Sequence, residues 1–257
     1  MNDPRSPARA KRPDRPADER TLPWWPAERP AVGDREPLTR DRIVQAALAL
    51  VDRDGLDALS MRNLGEELGA GTTSVYWHVA NKDQLLDLLM DEIMGEAAAA
   101  IRPMDDWRSL LHEHAWVLRR VLTRHRHAVS IFGARAPIGP KALGGFERLL
   151  ERLLEAGFDQ RDALLVGNTV INFAAGWAVF ECRAAAGPVA DAGQTPEELD
   201  QAVMELMRTE LPHEVFPALA SVSAAVGVIT WDEQFEYALE RLLDGIGLVS
   251  RGAGPTG

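Results

Sequence analysis

Apolar side chains recur along most of the chain at intervals of three and four residues, the period at which successive turns of an α-helix present one face. Ile43, Ala46, Ala47, Leu50 and Val51 form the first such stripe, with Thr39 placed to cap its start and Gly55 to end it. Met61, Leu64 and Leu68 form a second, shorter one between a capping Ser60 and Gly69, where glycine tolerates the positive φ of a helix end. A three-residue turn leads to a third helix over 72–78. Asn81 then caps a fourth, which turns Leu85, Leu86, Leu88, Leu89, Ile93 and Met94 inward and runs through an alanine tract to a stop near Pro103. Beyond it the same spacing predicts helices over 107–125, 141–156, 161–186, 196–207 and 232–246, with a loop at 187–194 and an apolar, small-residue segment at 216–229. No run alternates apolar and polar with period two. The fold class is all-α.

The pattern divides the chain. Residues 1–36 hold seven prolines, many charges and almost no aliphatic side chains, a composition that buries too little apolar area to offset its ordering entropy, so this stretch reads as a disordered tail. Trp24-Trp25 within it is either an exposed pair or one packed loosely on the domain surface. Residues 37–101 form one small helical domain, 102–249 a larger one, and 250–257 a short disordered tail. The helix over 161–186 is apolar nearly all round, which implies burial on two sides. Asn168, Thr169 and Asn172 interrupt its apolar run, and Asp162 and Glu181 bound it, so it reads as a core helix and no membrane partner is expected.

Charge gives no support to a nucleic-acid reading. The chain carries 28 basic and 39 acidic residues, a net charge of −11. In 37–101 the basic groups are Arg40, Arg42, Arg53, Arg62 and Lys82, against eleven acids. Phosphate binding requires cations only where phosphates lie, so local motifs must decide. The single cysteine, Cys182, excludes an internal disulfide and a multi-cysteine zinc site, and a reduced, cytoplasmic setting follows. His112 and His114, like His125 and His127, stand at i, i+2 and point to different helix faces. With no glycine-rich phosphate loop and no nucleophile elbow, no metal, no cofactor and no enzymatic activity are expected.

The stretch 60–82, SMRNLGEELGAGTTSVYWHVANK, is two short helices around a tight glycine turn, a helix-turn-helix whose second helix enters the DNA major groove. Tyr76-Trp77-His78-Val79, Asn81-Lys82 and the following Asp83-Gln84-Leu85-Leu86 resemble the signature of TetR-family (tetracycline-repressor-like) regulators. So do Ile43-Val44-Gln45-Ala46-Ala47, Gly55-Leu56 and Ser60-Met61-Arg62, and 232–246 resembles the last helix of the tetracycline-repressor subgroup. The resemblance implies an N-terminal three-helix DNA-binding domain linked by a fourth helix to a C-terminal ligand-binding and dimerisation domain. It also implies a repressor that binds a palindromic operator as a homodimer and is released by a small molecule. Arg62 is then the candidate for a guanine edge, and Thr72 and Thr73 open the recognition helix where base edges lie. Tyr76, His78 and Lys82 suit phosphates, and Thr39 and Ser60 add hydroxyls at two helix starts. Trp77 is either a DNA contact or a core residue bracing the short helix. The arginines of the N-terminal tail are further candidates for a DNA backbone or minor groove.

Polar groups on otherwise apolar helices mark a second site. Asn168 and Asn172, at i, i+4, share a face, and with His114, Leu118, Phe132, Trp177 and Phe180 they compose a pocket of apolar walls and a few polar groups. The alternative is that the amides are satisfied across a dimer interface, which the sequence assigns to Phe173, Trp177, Phe235, Leu239, Leu242 and Leu243. Tetracycline-responsive relatives hold a drug–magnesium chelate with histidines near the end of the fourth helix and after the fifth. Here those stretches read Glu96-Ala97-Ala98-Ala99 and Ser130-Ile131-Phe132-Gly133, which implies a more apolar effector bound without metal. Two other readings stay open at this point: a helical small-molecule-binding or enzymatic protein with a vestigial helix-turn-helix, and a DNA-binding protein that answers to no ligand.

Overall fold

The computed structural model describes residues 38–184, 196–210, 212–225 and 229–252, which are helical with no strand among them. The tail over 1–36 with Trp24-Trp25, the 187–194 loop and the last five residues lie outside the described residues.

Side-chain caps set the first helices. α1 (Arg40–Asp54) begins where Thr39 Oγ1 accepts the Arg42 amide at 3.2 Å and ends at Gly55, whose φ of 86° suits glycine. A 3-10 turn, Leu56–Ala58, leads to α2 (Met61–Glu67), where Ser60 Oγ accepts the Asn63 amide at 3.1 Å. Gly69, at φ 58°, turns the chain into α3 (Thr72–Tyr76), shorter than the predicted 72–78. Asn81 Oδ1 accepts the Gln84 amide at 2.8 Å and opens α4 (Lys82–Ala100). Each such cap is worth about 1 kcal/mol. Ile43, Leu59, Leu64, Val75, Val79, Leu85 and Leu89 are all but fully buried, so α1 to α3 share one core with the first half of α4.

The second half of α4 belongs to a larger layer. α5 (Trp107–Arg124) starts at an Asp106 cap, and a short helix that the sequence did not reveal, α6 (Val129–Phe132), follows it. α7 (Pro140–Glu155) and α8 (Gln160–Ala184) come next, then α9 (Pro196–Thr209), α10 (Pro217–Ala225) and α11 (Trp231–Gly252), the last reaching six residues past its predicted end. α5 and α8 pack along most of their length, with Leu111, Ala115, Leu118 and Leu122 on one side and Val166, Val170, Ala174 and Ala178 on the other. α8 is long and apolar enough to cross a bilayer, yet this face of it is core.

α7 has an unusual start. Its N-cap is Gly139, which has no side chain to offer, and Asp91 of α4 reaches across instead, its buried Oδ1 accepting the Ala142 amide at 2.9 Å. The two helices run close enough that a Cβ on Gly145 would lie 2.8 Å from Ala98 Cβ.

α11 corrects one expectation. Phe235, Leu239 and Leu243 are 0% exposed inside the single subunit, because their stripe fills the groove between α5 and α8. Phe235 stacks on Phe173 at 5.2 Å and meets Trp116 and Trp177 edge-on at 4.9 and 5.7 Å. Beside them the buried Arg119 guanidinium pairs with Glu181 at 2.9 Å and Asp232 at 2.7 Å. Phe173, Trp177 and Leu242 are half-buried against the same core. Phe235, Leu239 and Leu243, named for a subunit interface, therefore hold the subunit itself together.

Candidate nucleic-acid interface and ligand cavity

α3 is anchored from beneath and bare above. Val75 and Val79 are 0% exposed and lock the short helix to the core, which leaves Thr73, Ser74, Tyr76 and Trp77 outward. Trp77 is thus not a core brace: it is 68% exposed, beside Tyr76 at 50%. Thr72 and His78 are half-buried at the rim, and Arg40 Nη2 donates to the His78 carbonyl at 3.4 Å, tying the start of α1 to the end of α3. Lys82 is exposed at the first turn of α4. Thr39 and Ser60 accept cap hydrogen bonds through their hydroxyl oxygens, and each hydroxyl proton remains to donate. Arg62 projects from α2 with its guanidinium on Glu66.

One necessary residue carried no obvious sequence signal. A Cβ on Gly65 would lie 3.1 Å from the Ala70 carbonyl oxygen and 3.3 Å from the Thr72 amide, so its absence lets α3 close onto α2. A glycine inside a helical stripe reads only as a propensity cost until the crossing helix is visible.

At the far end of α4 a cavity of about 470 Å³ opens between α4, α6, α7 and α8. Phe132, Asn168 and Asn172 line it with Met94, Pro137, Leu143, Phe146, Ile171 and Val179. A smaller chamber of about 50 Å³ continues inward past Met94, Ala142, Phe146 and Ile171 to His114, Leu118 and the Ala97, Ala98 and Ile101 end of α4. Both exposed amides of α8 point their i, i+4 face here, as the spacing implied. Trp177 and Phe180 do not line it; they turn to Trp231 and, for Trp177, Phe235, on another side of α8. Met94, Leu143 and Phe146 stood on predicted stripes, but nothing local distinguished a cavity wall from a core contact.

His114 is the titratable group at the inner end. Its Nδ1 donates to the Leu110 carbonyl at 2.8 Å, which leaves Nε2 as an acceptor, and burial holds its pKa below the ordinary 6.5. No Asp, Glu, Lys or Arg lines either chamber among the described residues, so the walls suit a neutral, largely apolar guest with a few hydrogen-bonding groups.

The fold brings one further polar cluster together from residues distant in sequence: His112, Glu236 and Glu240, with ligand atoms within 4.8 Å of one another. Their oxygens are already engaged, Glu236 by Trp116 Nε1 at 2.7 Å and His112 at 3.0 Å, Glu240 by Arg108 at 2.5 Å. The cluster is a tie between α5 and α11.

A helix-turn-helix carried on one end of a long helix, whose other end walls a cavity in a helical layer, defines a class of two-part DNA-binding regulators. Residues 43–89 match the domain described as bacterial regulatory proteins, tetR family, and residues 101–249 match the tetracyclin repressor-like, C-terminal domain. The chain belongs to the tetR family of bacterial regulatory proteins; it is a transcriptional regulator and not an enzyme. It is 30% identical over 232 residues to the HTH-type transcriptional repressor DrrR1 of Streptomyces coeruleorubidus, covering 88% of this chain and 83% of that one. It is 42% identical over 139 residues to an HTH-type transcriptional regulator of Saccharopolyspora erythraea, a match that covers 54% of this chain and 59% of that protein. ActR of Streptomyces coelicolor, solved in complex with actinorhodin, superposes with a TM-score of 0.69 at 33% identity, over 86% of this chain and all of ActR.

Proposed function

We propose that this protein is a repressor that binds a palindromic operator as a homodimer and is released by a neutral, largely apolar small molecule in the α4–α8 cavity. The observation that carries the reading is the placement of α4. Its Leu85 and Leu89 pack under the helix-turn-helix, while its Met94, Ala97, Ala98 and Ile101 wall the cavity. A guest that fits the cavity better for one position of α4 than another biases the position of α3 by that difference in affinity. ActR, which holds actinorhodin, lends support from a related fold.

In this reading α3 lies in the major groove, with Thr72, Thr73 and Arg62 toward base edges and Tyr76, Trp77, His78, Lys82, Thr39 and Ser60 toward the backbone. The domain limits at 37–101 and 102–249 are functional halves joined through α4. The subunit contact moves to what the core leaves free. On α8, Leu165, Thr169, Gly176 and Phe180 are exposed along one stripe; on α11, Gln234, Arg241 and Gly245 are exposed beside a half-buried Ala238. Two such helices from each subunit would compose a four-helix contact about a two-fold axis. Operator binding sets the protein in the cytoplasm.

Selection of duplexes from a random pool, followed by a gel shift of the selected duplex against a library of neutral aromatic and aliphatic compounds, tests the proposal. A palindromic consensus and release by compounds of this class are expected. Failure to select any sequence would remove the DNA-binding reading, and a stable complex throughout the library would favour a regulator that answers to no ligand.

A further inference from the structure

α5 ends at His125, whose ψ of 46° leaves the helical range. Its backbone is held on both sides: its amide donates to the Val121 carbonyl at 3.1 Å, and its carbonyl accepts the amides of Ala128 and Val129 at 2.8 and 3.1 Å, where α6 begins. The side chain is buried, 6% exposed, and each ring nitrogen meets a carboxylate. Nδ1 is 2.8 Å from Asp52 Oδ2 in the last turn of α1, and Nε2 is 2.8 Å from Glu96 Oε2 on α4. Arg124, the preceding residue, also pairs with Glu96.

One side chain therefore joins three helices. Asp52 lies on the DNA-reading unit itself, Glu96 on the helix that carries it, and the backbone of His125 on the turn into α6, whose Phe132 lines the cavity. The geometry decides what this adds. A unit attached only through α4 keeps a rotation about that helix, and a second attachment at Asp52 removes it.

We propose that His125 is the positioning residue through which the cavity sets the orientation of the DNA-reading unit. Displacement of α6 by a guest moves the turn that carries His125 and loosens Asp52 and Glu96 together, so α1 and α4 change position as one body. The inference rests on the functional reading above.

The test uses the full chain with Cys182→Ser, and Ser74→Cys with Glu151→Cys as spin-label sites. Labelled protein is diluted into unlabelled protein so that distances within one subunit are read. His125→Phe and Asp52→Asn should each broaden the distance distribution while the melting transition stays cooperative, and each should weaken binding to a pool-selected duplex about tenfold. Asp52→Asn should add nothing in a His125→Phe background, the result that separates a shared clamp from two unrelated losses. Should His125→Phe fail to fold, Asp52→Asn with Glu96→Gln carries the same comparison. Unchanged distance distributions and affinities in folded variants overturn the clamp. A wild-type protein that selects no duplex overturns the functional reading instead, and the distances still report on the clamp.

Discussion

Arg62 Nε lies 3.0 Å from Glu66 Oε1 one turn along α2, with the two side chains 82% and 66% exposed. A surface i, i+4 pair contributes only about 0.3–0.5 kcal/mol, so a guanine edge competes for this guanidinium at small cost. Glu66→Gln should therefore tighten operator binding modestly, while Arg62→Ala should relax preference at one base pair of each half-site by about 1–3 kcal/mol. Sequencing of duplexes selected by each variant checks both. An unchanged consensus with Arg62→Ala would show that Arg62 does not read a base.

Tyr76 and Lys82 stand at the edge of the same face, where the proposed partners are phosphates. Tyr76→Ala or Lys82→Ala should weaken binding to all sequences alike, and Lys82→Ala should also reduce the slope of log affinity against log salt by about one. Titrations of one selected and one scrambled duplex over a range of salt read the effect. Loss confined to the selected duplex would reassign the residue to base reading.

Neighbouring positions on α11 should behave in opposite ways. Leu239 is 0% exposed, and Leu239→Glu should unfold the subunit, since an unpaired charge in the core costs several kcal/mol. Ala238, half-buried on the flank that faces outward, is different: Ala238→Glu should leave a folded protein that sediments as a monomer and binds the operator weakly. A stable dimer with Ala238→Glu and with Leu165→Glu would move the subunit contact off this face.

Burial lowers the pKa of His114, and the hydrogen bond to the Leu110 carbonyl opposes it only in part. The unfolded chain takes up the proton near the ordinary 6.5 and the folded chain only at lower pH. Between those values the unfolded state binds more protons, so stability falls as pH falls below about 6.5 and is flat above it. Urea midpoints at about pH 5.5 and about pH 7.5 should differ less in His114→Gln than in wild type. An equal pH dependence in both would assign the acid sensitivity to another group.

Local chemistry made the first part of the fold legible. Thr39, Ser60 and Asn81 announce helix starts because each needs only an amide three residues ahead, and Gly55 and Gly69 announce ends because positive φ selects glycine at that residue. The pair Asn168 and Asn172 was legible as one face for the same reason. What stayed hidden depends on partners far along the chain. A stripe such as Phe235, Leu239 and Leu243 states that a face is apolar but not whether its own subunit or a second one covers it. Trp177 and Phe180 lie on the helix that walls the cavity but turn elsewhere, which only the position of α11 decides. Gly65 and His125 carry meaning solely through helices that cross them.

Asp91, lent by α4 to cap α7, also bears on how such proteins can be recombined. The matched domains end at residue 89 and resume at 101, and Asp91, Glu92 and Glu96, with their bonds to Ala142, Lys141 and His125, fall in the gap between them. A graft that transplants the DNA-reading half together with all of α4 onto a foreign cavity domain would bring mismatched fittings to that seam, whereas a junction placed before Asp91 keeps each fitting with its socket.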